Sequence, residues 1–177
     1  MKSTTCLVIV AVYAPVAIAQ SSAGRKIGLV AYLQAGYAGT KRDLVRAAEK
    51  MPDADYGFKP SQMSDARTYG AVIAHAADGM FGACATARGV ATPATVEKRL
   101  TNKADIVKAL ADSIAFCDVA FSALTAESAE EYLPQGPVEI PRAALLMGVL
   151  AHNAEMYGIS TVYLRARNIV PPASEPR

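Results

Sequence analysis

After about residue 20, apolar residues recur three and four positions apart along nearly the whole chain, and strand-like alternation is nearly absent. Val30, Leu33, Tyr37, Thr40, Leu44, Ala47 and Met51 form a first stripe, nearly apolar over six turns, which Pro52 at the head of PDADYGFKP ends. A second helix is predicted from about Ser64-Asp65, residues that cap well, to Arg88-Gly89, where a glycine stop follows an arginine. The linker GVATPATVEKRLT leads to a third helix, entered at Thr101 or Asn102, with Ile106, Leu110, Ile114, Cys117, Phe121 and Leu124 on one face. AESAEEYL gives a short helical turn and PQGPVEIP a loop. A fourth long helix then opens at Pro141, well placed for a first turn, with a stripe of Leu145, Val149, His152, Met156, Ile159 and Tyr163. Val170-Pro171-Pro172 stops it.

Four helices of about 23 to 27 residues in one domain predict an all-α four-helix bundle. The linker between the second and third is informative, because its thirteen residues could reach ~40 Å at ~3.3 Å each. A helix of 23 residues is only ~35 Å long. The linker can therefore cross the whole bundle, so that the second and third helices run parallel.

The first twenty residues read differently. MKSTTCLVIVAVYAPVAIAQ has Lys2, an apolar run from Cys6 to Ala19, and Ala17-Ile18-Ala19 before Gln20, the layout of a secretory signal. Fourteen apolar residues are fewer than the ~20 of an ordinary membrane span. The expected organisation is a signal over residues 1–19, cleaved before Gln20, and a bundle domain over 20–177, exported to the periplasm or the extracellular space; an uncleaved anchor is the alternative. Charge adds little. With 18 basic and 16 acidic side chains the whole chain stands at +2, and without Lys2 at +2 − 1 = +1. No concentrated basic face announces nucleic-acid binding. In an oxidising compartment the two cysteines of the mature chain, Cys84 and Cys117, can form a disulfide; as residues within apolar helical pattern they can equally be buried thiols. A thiol-redox role lacks a Cys-x-x-Cys.

The chemistry rests on two histidines, His75 in the second helix and His152 in the fourth, each about ten residues from its helix start. On antiparallel neighbours the two imidazoles can meet near mid-bundle, and Gly79 and Gly82 leave space on the His75 face. A neutral imidazole is a strong ligand for zinc, nickel, iron or copper, but an open catalytic site ordinarily has three protein ligands. Asp78, three residues after His75, Glu155, three after His152, and the Met156 thioether are candidates for a third ligand; the two carboxylates can instead orient the histidines. Two core histidines without metal are the alternative.

AAEKMPDADYGFKPSQMSDARTYGAVIAHAADGMF and LLMGVLAHNAEMYGISTVYLRARNIVPPASEPR, with MPDADYGFKP, IAHAADG and AHNAEMYG as the most specific pieces, resemble the DinB-like family of metal-binding bundles. The resemblance implies up-down-down-up order with a long crossover between helices 2 and 3. It also implies a divalent metal held by one histidine on the second helix and a His-x-x-x-His pair on the fourth, used to activate a low-molecular-weight thiol or water for transfer, isomerisation or hydrolysis. His75 matches the first ligand and His152 the second, while the third position is Met156. A thioether is a poor zinc or nickel ligand and shifts preference toward soft ions such as Cu(I). The expectation is an exported bundle with an altered His, His, Met site, compatible with a small-molecule substrate and a homodimer. The alternative is a metal-free module that binds a small molecule or a protein.

Overall fold

The computed structural model describes residues 24–93 and 95–176, so the expected signal lies outside the described residues. Its frame is four long helices: α1 (Leu29–Lys50), α2 (Tyr69–Arg88), α3 (Lys103–Ser122) and α5 (Arg142–Ala166). Between α3 and α5 lie a one-turn α4 (Ala126–Ala129) and a hairpin of β1 (Tyr132–Gln135) and β2 (Val138–Pro141). No helix among the described residues is long and apolar enough to cross a membrane.

Contacts between helices fix their directions. The Tyr69 hydroxyl at the start of α2 donates to the Ala47 carbonyl near the end of α1, at 2.6 Å, so the two run antiparallel. α2 and α3 are parallel: Gly70 lies against Ile106 near both N-termini, and Cys84 is bonded to Cys117 further along both. α5 returns antiparallel to α2, from Arg142 donating to the Ala87 carbonyl at one end to the Tyr69 and Tyr163 rings, 5.9 Å apart, at the other. The order is up-down-down-up, and the segment between α2 and α3 makes the expected crossover.

α2 is the most buried of the long helices, with twelve of its twenty residues buried. It packs on α3 and on α5 from different sides, so one apolar stripe does not suffice. Ala74, Ala76, Ala77, Ala85 and Ala87 line it on several faces and let its neighbours approach closely. Gly89, in the left-handed conformation (φ 65°), stops the helix as expected, its amide donating back to Ala85 and Thr86.

Three expectations need correction. α2 starts at Tyr69, not at Ser64-Asp65, because Thr68 caps it by accepting from the Ala71 amide. The amides of Tyr69 and Gly70 also donate to the carbonyls of Phe58 and Tyr56, so PDADYGFKP folds back and closes this helix end. Second, PQGPVEIP is not a plain loop: it holds part of an antiparallel hairpin that turns at Gly136 (φ 61°) with Gln135 opposite Val138. Its prolines and exposed residues hide the usual alternation. Third, the buried face of α5 centres on Val149, Asn153 and Ser160, which places His152 at its edge, half-buried, and not on the inward stripe.

The Cys84–Cys117 disulfide joins adjacent parallel helices with a Cα separation of 5.3 Å, and both residues are fully buried. A closed loop with a sequence separation of 33 restricts the unfolded chain, a stabilisation of about 2–4 kcal/mol. The double variant C84A/C117A is expected to unfold at lower denaturant concentration by about that free energy. An unchanged midpoint would show that the bond does not restrict the unfolded chain as expected.

The paired-histidine groove

His75, on α2, and His152, on α5, meet across the groove between these helices with ring centroids 5.1 Å apart and planes 64° apart. Their joining depends on a glycine one turn from His75. A Cβ at Gly79 would lie 2.5 Å from Cε1 and 2.7 Å from Nδ1 of His152, closer than any side chain tolerates. The His152 ring is therefore seated directly on the α2 backbone.

A third participant comes from the crossover. Glu97 reaches His75 with its Oε2 2.9 Å from Nδ1, and Arg67 donates through Nε to the other carboxylate oxygen at 2.8 Å. A carboxylate only accepts, so Nδ1 of His75 donates in this contact, which is shorter than the 3.4 Å approach of Arg67 Nη2 to the same nitrogen; in the neutral ring Nε2 then carries the lone pair. Burial pushes the Glu97 pKa up, but the hydrogen bonds from Arg67 and His75 outweigh it and hold the group below its ordinary value. His152 is also lowered, first by burial and then by the neighbouring His75, with Glu155 opposing. It is neutral at pH 7.

The remaining candidates take other places. Both oxygens of Asp78 are engaged by the crossover, accepting from the amides of Val96 at 2.7 Å and Glu97 at 3.0 Å. It does not touch His75; it pins the backbone that carries Glu97 to His75. Glu155 is exposed on the outer side of α5 and acts on His152 only through its charge. Met156 is buried, 4% exposed, one turn beyond His152. Among the described residues, no three histidine, cysteine or carboxylate side chains converge on one point. A cleft of about 510 Å³ lined by Arg42, Arg46, Pro172 and Glu175 lies between α1 and the C-terminal tail, and no histidine borders it.

Sequence reasoning missed Glu97 and Asn153. Glu97 stands 22 residues from His75 in a linker, at no spacing that signals a site. Asn153 could have been noticed as a polar residue beside the apolar stripe of α5. It is fully buried, and neither its amide nitrogen nor its amide oxygen has a partner.

No sequence-family model matches the chain, and no curated protein does. Solved structures do. A DinB-like protein from Bacillus cereus superposes with a TM-score of 0.67 at 15% identity, over 79% of this chain and 93% of its own. A DinB-like protein from Bacillus subtilis gives 0.65 at 18% identity, over 82% of this chain and 99% of its own. Helix order and groove thus define a four-helix bundle with a polar site between α2 and α5. Its fold is the DinB-like fold.

Gly79→Ala tests the seat of His152. Alanine favours the helix by about 1 kcal/mol, so the bundle persists while the ring is forced outward. Below the ordinary histidine value of 6.5, the unfolded chain binds a proton at this position before the folded chain does. The site's contribution to stability is therefore complete above that value and declines as pH falls toward the lowered pKa of the folded state. In Gly79→Ala the proton resonances of His152 should titrate at higher pH and the stability loss on acidification should shrink; an unchanged titration would refute the seat.

Asn153→Leu replaces an unpartnered buried amide by an apolar group of similar size and should stabilise the bundle by about 1–3 kcal/mol. A loss of stability on thermal unfolding would mean that the amide is hydrogen-bonded in solution.

Proposed function

We propose that this is an exported DinB-like protein that binds a transition-metal ion in the α2–α5 groove through His75 and His152. The observation that carries the proposal is the meeting of two imidazoles over Gly79, one with its Nδ1 anchored by a carboxylate. Metal-bound histidines are ordinarily oriented in this way, by a partner that holds the far nitrogen and raises the basicity of the near one. Glu97 orients His75, Arg67 steadies Glu97, and the lowered pKa of His152 keeps the lone pair of its unprotonated nitrogen available without prior loss of a proton. The apolar run before Gln20 supports export.

The donor set decides which ions suit the groove. Two imidazoles, completed by the Met156 thioether from the next turn of α5, would fit a soft or borderline ion. They do not fit a three-histidine zinc or nickel centre, since position 156 offers neither charge nor imidazole. A bound ion would supply Lewis acidity, lowering the pKa of a coordinated thiol or water. The groove residues bind and orient.

Calorimetric titration of the untagged mature protein tests this reading. The protein should bind Cu(I) more tightly than zinc or nickel, and His75→Ala or His152→Ala should abolish binding. Met156→His should bring tight zinc binding, because residues one turn apart reach a shared ion. Zinc at a hundredfold excess over Kd should then stabilise that variant by about 2.7 kcal/mol. Negligible binding of every ion by both forms would sink the metal reading and leave a metal-free binding module.

A further inference from the structure

α5 carries apolar residues on its outer as well as its inner side, and α1 and α2 cover only the inner one. Along its outer face, Met147, Ala151, Glu155, Gly158, Val162 and Arg165 are all exposed, Met147 by 49% and Val162 by 58%. At 100° per residue they share one face of the helix.

The order of the last four of these residues is its own complement. Glu155 and Arg165 stand five residues to either side of the level of Ser160, and Gly158 and Val162 stand two to either side. Laid antiparallel on a second α5 about that level, Glu155 faces Arg165 of the other copy, and the Val162 side chain enters the gap at Gly158. Each contact is made twice, as a twofold interface requires. Arg165 donates to Thr161 and Ser174 within its own chain through two of its five N–H groups, which leaves donors for a carboxylate.

We propose that the outer face of α5 pairs antiparallel with the same face of a second copy of this chain. A glycine opposite a branched apolar side chain lets the helices approach closely, and the flanking opposite charges set their direction and register. The inference is independent of metal binding.

Sedimentation equilibrium of the mature protein, with circular dichroism to check folding, tests the pairing. A dimer is expected, and Val162→Glu, which places a carboxylate in the seam beside Glu155, should leave a folded monomer. Glu155→Arg and Arg165→Glu should each weaken association by about tenfold, since each sets like charges together twice. The double reversal E155R/R165E should recover most of the affinity, an outcome that other surfaces or a parallel arrangement would not give. A monomeric mature protein overturns the proposal, as does a dimer indifferent to Val162→Glu or a double reversal no better than the single ones. A full-length chain that stays monomeric while Val162→Glu loosens its first 19 residues from the domain would assign the face to that segment and also overturn it.

Discussion

The close packing of α2 against both α3 and α5 is the constraint on which the rest depends. Between its large buried residues Tyr69, Ile73 and Met80, α2 carries buried alanines together with Gly70 and Gly79, which let both neighbours approach its backbone. Close approach on the α3 side brings Cys84 within bonding reach of Cys117. On the α5 side it lets the His152 ring lie on the backbone at Gly79. One compositional property of one helix thus sets both the covalent staple and the groove.

The topology supplies the rest of the groove. Because α2 and α3 run parallel, the chain must return along the length of the bundle between them, and its route passes the His75 side of α2. Asp78 captures that passing backbone through two amides, which fixes Glu97 where its carboxylate meets His75 and Arg67. A connection demanded by helix order therefore delivers a charged group that neither histidine helix provides. The result is an asymmetric pair: His75 is anchored through one nitrogen, while His152 is held neutral chiefly by burial.

Much of the scaffold was legible in the chain. The spacing of apolar residues located four long helices, Gly89 marked the end of α2 correctly, and of the two starts open for α3, Thr101 and Asn102, the structure takes Asn102. The linker length indicated the crossover. The start of α2 was misplaced by several residues, because good capping residues at Ser64-Asp65 lost to Thr68 once PDADYGFKP folded onto the helix end. The hairpin before α5 was missed because it is exposed and rich in proline, so no buried face imposes alternation.

For the site, the sequence determined the participants it could mark by type: two histidines at mid-helix, a glycine one turn from the first, and Met156 one turn from the second. Those follow from helical period alone, which is local. Only the tertiary structure decided that Asp78 binds the crossover and not His75, that Glu97 becomes the partner of His75, and that Asn153, not His152, faces the centre of the core. These outcomes depend on how one helix is rotated against another and on where a passing backbone is caught. Both are settled by packing between residues far apart in the chain, and no local period encodes them.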